Sequence, residues 1–333
     1  MTTAEVVDFF SGCGGASAGF EAAGHEIRLG VDLDAHAAAT FRMNFPASAF
    51  LERDVATVSA DEIATHLTGD RPVIFAGCAP CQPFSKQNRH RDDDDPRRSL
   101  LRQLERFVLV LEPDFVVIEN VPGLQKIGST GPLPEFIQTI SDAGYSVAQN
   151  LLKASDFGVP QTRMRLVVVA SKSGEARLPT ASPGAVPATV RDAIGHLPPL
   201  EAGAVDESDP DHAAMGLSPL NLERIRLTPE GGGREFWPDS LIPECHRGHQ
   251  GHTDVYGRMS WERPATGLTT RCLSYSNGRF GHPDQDRAIS AREAANLQTF
   301  PEQFRFAGPL TERGRQIGNA VPPRFAQRIV EAL

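Results

Sequence analysis

Asp8–Phe20 reads DFFSGCGGASAGF, and the punctuation of this stretch decides the fold. The apolar run AEVVDFF, Ala4 to Phe10, stops at Ser11-Gly12. A short continuous run of this kind reads as a buried strand. Gly12, Gly14, Gly15 and Gly19 then open a helix over Ala16 to Ala23. Strand, Gly-rich turn and helix together form a cradle where backbone can approach a cofactor closely. About 20 residues on, VDLD (Val31 to Asp34) sets an acid at the end of a second strand, His25 to Asp32, where it can bind ribose hydroxyls. An ordinary glycine-rich βα turn fits the same letters. The Walker phosphate loop does not, because no Gly-Lys-Ser/Thr follows.

The same rhythm continues outward. A helix is expected over Ala35 to Phe45, a strand from Val73 that stops at Gly77, and a helix over Arg98 to Leu111. FVVIE (Phe115 to Glu119) is a strand, Pro134 to Ala143 a helix, and RLVVVA (Arg165 to Ala170) another strand. Strands alternating with helices imply an α/β fold with a doubly wound, mostly parallel sheet. The rhythm ends after Ser171. Leu178 to Pro219 is rich in Pro, Gly and acids and reads as linker. Leu220 to Pro283 is rich in Arg, His and Gly, with strand-like pieces such as Gly267 to Leu273. Helical pattern returns at Ser290 to Leu297 and Pro323 to Leu333, and IGNAVPP (Ile317 to Pro323) reads as a Gly-Asn turn before the last helix. Asp92 to Asp95 is a solvated charge run.

With 333 residues, 40% of them hydrophobic, the chain can build one large domain or two modest ones. No apolar run approaches the roughly 20 residues that span a membrane. Met1 to Asp8 is too short and acidic for a signal peptide, so a soluble intracellular protein is expected. The five cysteines, Cys13, Cys78, Cys81, Cys245 and Cys272, are odd in number and widely spaced, which argues against a disulfide framework. The net charge of −9 does not suggest a nucleic-acid binder. That average hides an asymmetry: Leu220 to Ser290 carries nine Arg, no Lys and nine acids, while the rest of the chain holds the deficit. Arg suits bidentate contacts to phosphate and guanine, so the composition permits DNA binding without establishing it.

Three further segments carry chemistry. GCAPCQPFS, Gly77 to Ser85, sets Cys81 after a strand, between Pro80 and Gln82. A thiol at a strand end is a nucleophile candidate. Cys78 and Cys81 also form a CxxC, and Cys245, His246, His249 and His252 could complete a zinc site. In ENV, Glu119 to Val121, a strand-end carboxylate precedes an Asn. In QTRMR, Gln161 to Arg165, two arginines lie two apart at a strand start and are expected on one face.

The order of DFFSGCGG, PCQPFS, ENV, QTRMR, REAANLQTFP (Arg292 to Pro301) and QIGNAVPP closely resembles the motif series of the DNA (cytosine-5)-methyltransferase family. The resemblance runs from Asp8 to near the C-terminus. It implies a Rossmann-like S-adenosylmethionine-dependent fold, with 1–180 as catalytic and cofactor domain, completed by 288–333, and 181–287 as linker and irregular target-recognition domain. It makes Cys81 the nucleophile, Glu119 the group on the base edge, and Arg163 and Arg165 the contacts to the base oxygen, with no metal. The cofactor walls would be Phe10, Ser11, Gly12, Gly14, Gly15, Asp32, Leu33, Asp54, Val55, Pro80, Leu100, Asn319 and Val321. Leu33 departs from relatives that carry an aromatic residue there, and DPRRSL (Asp95 to Leu100) departs at a position where Gly is frequent. Gln82 to Pro96 would close over a flipped cytosine, with Ser85 and Gln87 on DNA. YGRMSWERPATGLTTR resembles the recognition framework, and CLSYSNGR (Cys272 to Arg279) is its variable piece. Arg271, Tyr275, Ser276, Asn277 and Arg279 are candidate DNA contacts, with Arg279 alternatively bracing the loop.

The implied partners are double-stranded DNA and, where one exists, a restriction endonuclease acting on the same site. A monomer in the cytoplasm, on the nucleoid of a prokaryote, is expected, with S-adenosylhomocysteine as co-product. The alternatives are a tRNA cytosine-5 methyltransferase, whose recognition signature is not found, and a catalytically inactive DNA-binding relative.

Overall fold

The computed structural model describes residues 2–78, 100–122, 131–182, 184, 186–247 and 254–333. The chain divides into two compact units: residues 1–157, 164–185 and 320–333 form one, and 158–163 with 186–319 the other.

The first unit is an α/β sheet. Among the described residues its strands are β1 (Glu5–Phe9), β2 (Glu26–Asp32), β3 (Ala49–Glu52), β4 (Val73–Gly77), β5 (Phe115–Asn120), β6 (Ser146–Lys153) and β7 (Met164–Ser171), in the order β3-β2-β1-β4-β5-β7-β6. Neighbours from β3 through β5 pair parallel. β7 runs antiparallel to both β5 and β6. The chain winds outward from β1 to β3 on one side and resumes at β4 on the other, so the strand order reverses between β1 and β4. Ligands of open α/β sheets bind beyond the strand C-termini at such a switch.

Helices α1 (Gly15–Ala22), α2 (Ala35–Asn44), α3 (Ala60–Ala64), α4 (Leu100–Leu111) and α5 (Pro132–Asp142) join these strands. In α4, Leu101, Leu104, Phe107 and Val108 are buried, the stripe expected of a helix lying on a sheet. Phe107 stacks on Phe9 of β1, ring centres 5.0 Å apart. The sequence reading misses β3 and β6. Both are edge strands with partly exposed, mixed-polarity residues, so neither shows an apolar run.

In the second unit the helices are α6 (Val190–Ile194), α7 (Pro219–Arg226), α8 (Ala291–Leu297) and α9 (Leu310–Asn319); α10 (Pro323–Val330) returns to the first unit. The strand expected near Gly267 to Leu273 does not form; the second unit has only isolated bridges among its described residues. Gly318 and Asn319 close a helix rather than form a free turn. Residues 288–319 also fall in the second unit rather than with the sheet, tied there by Arg287 to Glu293 and Arg292 to Asp209 ion pairs.

Buried arginine substitutes for the missing sheet. Arg258 donates to the carbonyls of Ile225, Thr228, His282 and Gln285 and pairs with Asp286. Arg287, fully buried, reaches the carbonyls of Leu200 and Ala288 and holds Glu293 through two bonds of 2.7 Å. Irregular buried backbone leaves carbonyls without ladder partners, and a five-donor guanidinium satisfies several at once. Around this lattice pack Ile225, Trp237, Leu241, Tyr275 and Ala288.

Close packing in the first unit generates one prediction. A Cβ on Gly19 of α1 would stand 2.3 Å from the Pro323 carbonyl oxygen and 2.7 Å from the Ala326 Cβ of α10. Gly19→Leu should therefore destabilise the protein by about 1–3 kcal/mol in urea denaturation. An unchanged midpoint would show that α1 and α10 do not meet this way.

Candidate active site

The glycine-rich turn is held open by its backbone. Phe10 has φ 57°, Gly12 φ 53° and Gly14 φ 93°. A positive φ at a Phe is strained, and such strain gathers at functional sites. Asp32 at the end of β2 ties two turns together: its Oδ2 accepts from the Gly12 N–H (2.8 Å) and its Oδ1 from the Asp34 N–H (2.9 Å). The Ser11 N–H meets the Val31 carbonyl at 3.2 Å. Burial holds the Asp32 carboxyl above its usual range. The Ser11 hydroxyl is buried without a hydrogen-bond partner among the described residues.

The other expected walls lie nearby or apart. Asp54 is exposed beyond β3 and caps a short 3-10 turn through the Ala56 N–H, while Val55 is buried in the sheet core. Gly15 starts α1 and Leu100 starts α4. Leu33 is 69% exposed, an aliphatic surface beside the ribose acid candidate. Val321 is buried in the first unit, and Asn319 ends α9 in the second. Pro80, Cys81, Ser85 and Gln87 lie outside the described residues. Cys13 and Cys272 are both fully buried, and burial pushes their thiols up to about 12, which makes them poor nucleophiles.

Under the turn sits a group that the sequence reading passed over. Asp8 is the one acid inside the apolar run VVDFF, and it is fully buried. Its Oδ2 lies 2.6 Å from the Ser17 hydroxyl of α1, so strand and helix are clasped on either side of residues 11–14. Burial raises its carboxyl to about 7.

At the other side of the switch, β5 and β7 build a charged pair. Glu119 lies opposite Val167 and Asn120 opposite Leu166, so Arg165 falls just past the end of β5. Its Nε meets the Glu119 Oε1 at 2.7 Å, with only 17% and 10% of the two side chains exposed. Arg163 precedes β7 and belongs to the second unit. There its Nη1 donates to the carbonyls of Leu268 (3.1 Å) and Gly318 (3.2 Å). Gln161, fully buried, accepts from the Leu268 N–H and donates to the Leu297 carbonyl. These residues clamp the second unit's own backbone.

The candidate DNA contacts separate similarly. Tyr275 is not on the surface: it is a core residue, 1% exposed, with its hydroxyl 2.9 Å from Thr228 Oγ1. Arg279 braces its surroundings, donating to the carbonyls of Gly231 (2.7 Å) and Gly232 (2.8 Å). Ser276 and Asn277 are half-buried, and the Asn277 amide donates to Ser274 Oγ at 2.7 Å. Arg271 is exposed.

The chain is similar to known proteins over nearly its whole length. Residues 4–333 match the model of the C-5 cytosine-specific DNA methylase family. The chain is 38% identical to the Type II methylase M.HgiDII of Herpetosiphon aurantiacus, covering 98% of this chain and 94% of the relative. It is 37% identical to the Type II methyltransferase M1.HphI of Haemophilus parahaemolyticus, over 98% and 86% of the two chains. Among solved structures, a protein described as a DNA modification methyltransferase encoded within an E. coli prophage superposes with a TM-score of 0.78 at 25% identity, over 99% and 98% of the chains. DNMT2 of Spodoptera frugiperda, at 18% identity and a TM-score of 0.68 over 99% of both chains, shares the fold.

The clasp beneath the turn has a pH signature. A carboxyl of about 7 in the folded state exceeds the unfolded value of about 4, so its contribution to stability is full at low pH and is lost as pH rises through about 7. Asp8→Asn cannot ionise. Its melting temperature relative to the unaltered protein should rise between about pH 5 and pH 8; a constant difference would contradict the assignment.

Proposed function

The chain belongs to the C-5 cytosine-specific DNA methylase family, and from that premise we propose how its residues divide the labour of methylating cytosine in duplex DNA. It is a DNA (cytosine-5)-methyltransferase related to Type II modification enzymes. The observation that carries the proposal is the Glu119–Arg165 pair at the C-terminal end of β5.

Carbon 5 of cytosine is a weak nucleophile. Cys81 activates it by adding its thiolate to carbon 6, which forms an Sγ–C6 bond and moves the ring's electrons toward carbon 5 and nitrogen 3. Glu119 accepts from the exocyclic amine and, in its acid form, passes its proton to ring nitrogen 3 as negative charge builds there, taking it back when the thiolate leaves. Arg165 fixes the carboxylate and contacts the base oxygen, a preorganised electrostatic role. Once carbon 5 carries the methyl group, loss of its proton to water restores the double bond and expels the Cys81 thiolate. The cytosine must leave the helix stack for a thiol to reach its ring face, with Ser85 and Gln87 on the DNA.

S-adenosylmethionine, when bound, supplies an electrophilic methyl on a sulfonium. Asp32 takes the ribose hydroxyls, and Phe10 with the turn Ser11 to Gly15 flanks adenosine and methionine. Asp54 takes the adenine amine, with Leu33, Val55, Pro80, Leu100, Asn319 and Val321 completing the walls. The Ser11 hydroxyl, without a partner among the described residues, and the half-buried Asp32 carboxylate suit a polar ligand at this strand end. A cytoplasmic setting, with an endonuclease that reads the same site, completes the proposal.

The test uses a tritium-labelled methyl donor and a random-sequence DNA pool, digested to nucleosides. Label should appear in 5-methyldeoxycytidine. Cys81→Ala should reduce it to background while the protein still binds DNA. Label in another nucleoside, transfer to tRNA instead of DNA, or substantial transfer by Cys81→Ala would overturn the reading.

A further inference from the structure

The recognition region's arginines are mostly occupied. Nine fall between Leu220 and Ser290. Arg224 donates to the Leu241 carbonyl, Arg226 pairs with Asp286, and Arg247 reaches the Asp239 carbonyl. Arg258, Arg279 and Arg287 hold backbone carbonyls, and Arg234 is not free of partners either. That leaves Arg263 and Arg271. Both are exposed, and neither side chain has a partner among the described residues.

They bracket one segment, RPATGLTTR, whose backbone is locked within the second unit. Ala265 donates to the Pro160 carbonyl at 2.9 Å and accepts from the Thr162 N–H at 2.9 Å. The Leu268 N–H and carbonyl are held by Gln161 and Arg163. The Arg263 carbonyl accepts from the Val190 N–H at 2.9 Å. A cavity of about 490 Å³ lies beside Arg263, lined also by Thr162, Ser260, Thr266 and Glu230. Glu230 Oε1 already accepts from the Trp261 N–H and the Ser260 hydroxyl.

We propose that Arg263 and Arg271 are the phosphate contacts of the recognition unit, set at the two ends of a rail that Gln161 and Arg163 hold rigid. The partner is the phosphodiester backbone of duplex DNA, so this inference rests on the proposed function. An exposed guanidinium on a fixed backbone, beside serine and threonine hydroxyls, is the usual equipment for positioning a duplex. The arginine excess of the region is then chiefly structural. Arg263 escaped the sequence reading because nothing in its neighbours distinguishes it from the arginines that brace.

The experiment measures DNA affinity against salt for the full chain, Arg263→Ala, Arg271→Ala and the double variant. Each phosphate contact contributes about 0.9 to the slope of log affinity on log salt. Each single variant should therefore flatten the slope by about 1 and the double by about 2, with methylated-site preferences unchanged. Arg263→Lys should restore the slope. Slopes equal to that of the unaltered protein, or a changed site preference, would overturn the assignment. Salt-independent or absent DNA binding by the unaltered protein would instead overturn the function it rests on. Circular dichroism of each variant separates a lost contact from a lost fold.

Discussion

A strand that runs backwards brings Glu119 and Arg165 together. In an antiparallel pair, the start of one strand lies beside the end of the other. β7 begins where β5 ends, so Arg165 reaches Glu119 at the strand C-termini, where this class of sheet binds ligands. A parallel β7 would begin at the opposite end of β5 and carry its arginine away. The pair is nearly buried, and desolvation consumes much of what a buried ion pair gains. Well-packed apolar residues would serve stability as well. Its retention is therefore better explained by the chemistry it holds ready than by the stability of the sheet.

The two units solve the backbone problem differently. In the first, ladders satisfy the amides, and one buried acid, Asp8, clasps Ser17 across the Gly-rich turn. In the second, where no strand forms among the described residues, Arg258 and Arg287 supply the donors. QTRMR divides between them. Gln161 and Arg163 clamp the second unit, while Arg165, two residues on, serves the first.

Legibility followed the source of each signal. The central strands β1, β4, β5 and β7 are buried apolar runs, and all were readable, as was the glycine turn after β1. The edges β3 and β6 were not, because half-exposed strands mix polar and apolar residues. α9 was hidden by its two glycines and its charges. Motif order named Glu119 and Arg165, which the structure pairs. Arg279 was placed by residue type within the recognition region, and type does not distinguish a guanidinium facing DNA from one holding carbonyls. Burial decides that, and burial in an irregular unit has no periodicity to reveal it. Asp8 carries a visible signal, an acid within a buried apolar strand.

The central claim is that Glu119, held by Arg165, stabilises cytosine after a thiol has added to carbon 6. That addition loosens the hydrogen on carbon 5 even when no methyl donor is present. Cytosine-containing DNA incubated with the protein in deuterated water should therefore gain deuterium at carbon 5, read by mass spectrometry of the released nucleosides. Glu119→Gln should bind the same DNA yet slow that exchange by roughly 100-fold or more, as loss of a preorganised electrostatic group does. Exchange by Glu119→Gln at the unaltered rate would contradict the account.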